Sequence, residues 1–225
     1  MKNWWLLGLL CWLPLGTEAA VVVSPDPKGG ADYAALSCDA AITNLARLRR
    51  MANAVTYEQL GFKSKNEVKG ASNGVPMQVY QVTLARLRAY KNEPDFANLV
   101  EPTVRIIYPV LVGGEVRSSH TLRQFAGGAW QGVSWGEPPL IKALVEARAS
   151  VKPVRTNWVN APFAVEVPLV GMWLVGYRDA TNRLRLIATS DWRQGKATAV
   201  KNGEINPALM ESLGELARSY KGNSN

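Results

Sequence analysis

The chain has 225 residues, a formal net charge of +8, a single histidine and two cysteines. One histidine leaves the usual general base almost unavailable and rules out a histidine- or cysteine-rich metal site. The length suits one well-cored domain or two small ones, and no Gly/Ser- or Pro-rich linker divides it.

The first nineteen residues read as a secretory signal peptide. Lys2 precedes an apolar run from Trp4 to Leu15, and the Thr17-Glu18-Ala19 segment approximates a small-x-small cleavage pattern. Crossing a bilayer takes about 20 apolar residues, more than this run offers. Cleavage is expected near Ala19-Ala20, which places the protein in the periplasm or the medium with no transmembrane segment in the mature chain. Loss of Lys2 and Glu18 leaves the net charge unchanged. Cys38 is then the one remaining cysteine, so no intramolecular disulfide forms. Its setting among small residues, Ala34 to Ala40, predicts a buried, inert thiol.

Residues 20–31 contain Pro25, Pro27, Gly29 and Gly30 and form a lead-in. The span 32–222 is expected to be a single α+β domain. From Asp32 to about Leu60, the recurrence of Ile42, Leu45, Leu48, Ala52 and Val55 predicts one long amphipathic helix ending at Gly61. Asn73-Gly74 reads as a turn, and Met77 to Leu84 alternates as a strand with one buried face. A short helix or irregular piece covers Leu84 to Leu99. Val104 to Val112, the Gly113-Gly114 turn and Val116 to Phe125 form a hairpin. Gly127-Gly128 then leads to a third strand, Trp130 to Trp135. Pro138 and Pro139 open a helix with Leu140, Ile141, Leu144 and Val145 on its apolar face. Phe163 to Tyr177, a Thr181-Asn182 turn and Arg183 to Thr189 give a C-terminal hairpin. Asn206 and Pro207 start the last helix, with an inner stripe of Leu209, Met210, Leu213, Leu216, Ala217 and Tyr220. The predicted architecture is an antiparallel sheet of about six strands, a β-meander plus a C-terminal hairpin, with three main helices packed mostly on one face.

Candidate chemistry is sparse. Ser118 and His120 share one strand face, but no Gly-x-Ser-x-Gly elbow accompanies them, and an exposed polar Ser-Ser-His patch explains them equally well. Glu166 lies within an apolar strand, where alternation allows a solvated position, and Glu137 is placed to cap the helix that follows it. No glycine-rich phosphate cradle opens a helix, so no nucleotide cofactor is expected, and the expected export, away from chromosomal DNA, leaves no nucleic-acid partner expected. Trp130 and Trp135, an odd number of residues apart, should face opposite sides of their strand. Trp173 should be buried. Trp158 and Trp192 with its neighbour Arg193 are candidates for an aromatic and cationic binding surface, as are Arg47, Arg49 and Arg50 on the first helix. The expectation is an exported, non-catalytic binding or adaptor domain of the bacterial envelope, whose partner is an envelope protein or an anionic envelope component. Two alternatives stand beside it: a small envelope hydrolase using Ser118/His120 or a carboxylate such as Glu166, and peripheral binding to anionic lipid or lipopolysaccharide.

Overall fold

The computed structural model describes residues 33–52, 56–151, 161–189 and 203–219. The signal segment and lead-in, and Trp158, Trp192 and Arg193, lie outside the described residues. What is described is an α+β arrangement built on an eight-stranded, mostly antiparallel sheet. The strands are β1 (Ser72–Asn73), β2 (Met77–Gln81), β3 (Glu101–Val112), β4 (Glu115–Gln124), β5 (Trp130–Trp135), β6 (Phe163–Val167), β7 (Met172–Arg178) and β8 (Leu184–Ala188). The helices are α1 (Tyr33–Leu36), α2 (Cys38–Met51), α3 (Lys65–Lys69), α4 (Leu84–Ala89), α5 (Pro138–Ser150) and α6 (Pro207–Ser219).

The sheet is larger than the six strands expected, and its order, β5-β4-β3-β2-β6-β7-β8, puts β2 at the centre. β2 pairs antiparallel with β3 on one side and parallel with β6 on the other, where Val79 meets Ala164 and Tyr80 meets Val165. The meander β3-β4-β5 follows the sequence reading, with Gly113 and Gly114 both at positive φ in the tight turn. The apolar stretch read as one strand from Phe163 divides instead at Pro168–Val170, a 3-10 turn closed by Gly171 at φ 60°. The C-terminal hairpin is therefore three strands. Asn73 is not in a turn but in β1, paired with Val110 of β3.

The expectation that the helices share one face is corrected by α5. α2 covers Ile106, Tyr108 and Leu122 on one side of the sheet, and α4 and α6 cover Tyr80, Val165 and Leu186 on the same side. α5 lies on the opposite side, where Leu140, Ile141 and Leu144 pack on Val79, Ile107, Ala164 and Val175. β2 is consequently buried on both faces rather than one, and Met77, Gln78, Val79 and Tyr80 are all excluded from solvent. A central strand with helices on both sides has no solvated face for alternation to report.

The single long N-terminal helix is also corrected. It is interrupted at Ser37, whose hydroxyl lies 2.8 Å from the Tyr108 phenol, and it ends at Met51. Its inner face is displaced toward Asn44, which is buried against Gly132, and Ile42 is left 49% exposed. Only a residue without a Cβ tolerates that approach, since a methyl at Gly132 would sit 1.9 Å from the Asn44 Oδ1. Cys38 is half-buried rather than sealed in the core. α6 begins as read, with the backbone N–H of Ala208 donating to the Asn206 side chain at 2.9 Å.

Candidate functional site: a cavity beneath α5

The cleft on the α5 side of the sheet has a volume of about 320 Å3, within the usual range for small-ligand sites. Its walls come from six strands and one helix, and it owes its existence to the placement of α5 across the sheet. Val79 and Ile107 from the sheet and Leu140, Ile141 and Leu144 from α5 make an apolar wall. Arg105, Ser119, Thr121, Ser134, Glu137 and Glu166 supply the polar groups, with Val133 and Trp173 completing the lining. Arg105 and Glu166 meet in an ion pair across the central strand, each about a quarter exposed. Glu166 stands directly opposite Trp173 in the β6-β7 register, which puts the indole beside the carboxylate.

The hydroxyls lining the cleft are unequal. Ser119 Oγ donates to the Gly136 carbonyl at 2.6 Å and so ties β4 to the entry of α5. Thr121 and Ser134, neighbours across β4 and β5, make no side-chain hydrogen bond among the described residues. Glu137 does occupy the N-cap position of α5, but in a left-handed conformation, φ 56°, with no side-chain cap. Its carboxylate lines the cleft instead.

Ser118 and His120 are on the other side of the sheet. They are not an exposed patch: both are fully buried, beneath α2. His120 stacks on Tyr108 with ring centroids 5.3 Å apart and planes at 3°, and its Nε2 lies 2.8 Å from the Asn73 Oδ1. Burial pushes its pKa down to about 4, which holds the imidazole neutral at ordinary pH. Ser118 Oγ and the His120 Nδ1 have no hydrogen-bond partner, and no carboxylate joins them among the described residues. These residues therefore do not converge with Glu166, which opens onto the opposite face.

The cationic candidates are dispersed. Arg47 stacks over the Trp135 ring at 4.9 Å, Arg49 donates to the Ala71 carbonyl at 2.5 Å, and Arg50 is exposed. Trp130 and Trp135 do not face opposite sides of β5 as their odd spacing suggests. A register shift between Thr121 and Leu122 lets them pair with Gln124 and His120, two positions on the same side of β4. Both indole nitrogens are buried on the α2 side. Trp173 is only partly buried.

Arg105 escaped the sequence reading, although a signal existed. Arg105 in Val104 to Val112 and Glu166 in Phe163 to Val170 are opposite charges embedded in apolar strands, and strands buried on both faces rarely hold an unpaired charge. In comparisons with protein families, with curated proteins and with solved structures, the chain finds no match.

Proposed function

We propose that the chain is an exported binding domain of the bacterial envelope and that the cleft beneath α5 is its binding site. The observation that carries this reading is the cleft's composition, an apolar wall facing a short polar row of Arg105, Glu166 and the Thr121 and Ser134 hydroxyls. Such a site holds and orients a small molecule. Hydrolysis through Ser118 and His120 has no support, since both side chains are sealed under α2 and face away from the cleft. Glu166, the other candidate for catalysis, is engaged by Arg105. Peripheral lipid binding through Arg47, Arg49 and Arg50 is likewise unsupported, because two of the three side chains are committed to Trp135 and to the Ala71 carbonyl.

The test compares wild type with Thr121→Trp, which fills the cleft from β4. Each is incubated with the small-molecule fraction of an envelope extract, and retained compounds are identified by mass spectrometry. Wild type should retain compounds that Thr121→Trp does not, and should return them chemically unchanged. Equal retention by the two proteins would remove the cleft as the site, and recovery of cleaved compounds would replace binding with hydrolysis.

A further inference from the structure

We infer that the cleft takes an uncharged sugar ring, with its hydroxyls held by Arg105 and Glu166 while those two remain paired and its C–H face lying on Trp173. The inference rests on the reading of the cleft as a binding site and specifies its ligand.

The charge arrangement decides the class. An anion on the remaining Arg105 N–H groups sits against the Glu166 carboxylate, and one that displaces Glu166 leaves that carboxylate unpaired in a cleft that already contains Glu137. A cation on the remaining Glu166 lone pairs sits against the Arg105 guanidinium, and one that displaces Arg105 leaves it beside Arg123, its direct cross-strand neighbour. Either ligand meets a like charge at close range or leaves one charge over. An uncharged polyol avoids this. The Arg105 guanidinium has N–H groups beyond the one given to Glu166, and the Glu166 carboxylate keeps free lone pairs, so the pair as it stands presents donors and acceptors side by side. Each ligand hydroxyl is itself a donor and an acceptor and matches that edge.

Two further observations point the same way. The Thr121 and Ser134 hydroxyls are adjacent across two strands with no hydrogen bond of their own among the described residues, and a ligand hydroxyl satisfies both capacities of each. Trp173, partly exposed and opposite Glu166, sets a flat apolar surface beside the charged pair. A pyranose ring carries both a polar rim and an apolar face, whereas a simple alkyl chain lacks the rim and an ion lacks the face.

The experiment uses the mature protein, with saturation-transfer difference NMR and indole fluorescence as readouts. The probes are methyl β-glucopyranoside and diacetylchitobiose as uncharged sugars, glucuronate as the anion and glucosamine as the cation. The uncharged sugars should bind saturably, at least tenfold more tightly than either charged probe. Trp173→Leu and Glu166→Gln, each confirmed folded by thermal unfolding, should weaken them at least tenfold. Binding of a charged probe as tight as that of the uncharged sugars, or no binding of the uncharged sugars, overturns the inference. Charged probes that bind wild type but not Thr121→Trp would overturn the ligand class and keep the cleft. If no probe distinguishes wild type from Thr121→Trp, the cleft falls with it.

Discussion

His120 ties stability to pH in a way that can be worked from its surroundings. In the unfolded chain the imidazole titrates near its ordinary value of about 6.5, whereas in the fold burial lowers it to about 4. The neutral form is the folded form, so its contribution is present above the unfolded value and is lost as pH falls toward the folded one. The full difference is worth about 3 kcal/mol, of which about 2 kcal/mol should disappear between pH 7 and pH 5. The depressed carboxyls of Glu67 and Asp179 add losses of the same sign only at lower pH, because a carboxylate starts to protonate below about pH 5. Since the chain has one histidine, the upper window belongs to His120. Urea unfolding at half-unit steps from pH 7 to pH 5 measures it. His120→Phe keeps an aromatic ring against Tyr108 and removes the titration, so its stability should be lower than wild type at pH 7, because Asn73 loses its partner, but flat with pH. A wild-type profile as flat as that of the variant would refute the argument that a neutral, buried imidazole supports the α2 side of the sheet.

Three packing predictions accompany it. Gly132→Ala should cost about 2 kcal/mol in chemical denaturation, because its methyl meets the Asn44 Oδ1 and the Trp135 ring, and Asn44→Ala should recover part of that loss when the two are combined. Gly214→Ala should reverse the usual rule that alanine stabilises a helix, since its Cβ would lie 2.8 Å from the Leu87 carbonyl where α4 and α6 touch; a rise in Tm would show that the two helices have room to part. On α2, Leu48→Ala should cost about 3 kcal/mol and Ile42→Ala less than about 0.5 kcal/mol, which checks the rotation of the helix toward Asn44.

Elements announced by local chemistry were legible in the sequence. The paired glycines fixed the β3-β4 hairpin, and Asn206-Pro207 fixed the start of α6, because a turn or a cap is decided by the residues that form it. Features that depend on a distant partner were not. Pro138-Pro139 announces a helix but carries no information on which face of the sheet it crosses. The single shifted residue in the β4-β5 register, invisible in a strand pattern, reverses the side that Trp135 takes relative to Trp130. Ser118 and His120 looked like a solvated patch because polar residues on a hairpin usually are, and only the arrival of α2 buries them. The cleft draws one or two residues from each of six strands, so no contiguous stretch of sequence could display it.

The parallel junction of β2 with β6 has a consequence for how the chain reaches this structure. Val79 and Ala164, hydrogen-bonded neighbours in the sheet, are separated by roughly 85 residues, while the β2-β3, β3-β4, β4-β5, β6-β7 and β7-β8 pairs join strands that follow one another in the chain. Closing that junction carries the largest loop entropy among the strand pairings, and its reward arrives only after both hairpin sets are in place. The seam expected to form last therefore runs beneath the Arg105–Glu166 pair, which spans it from β3 to β6. A species in which the two strand sets have formed without joining would expose Val79 and Ala164 and would lack the cleft altogether, so ligand affinity should be acquired in the slowest folding phase.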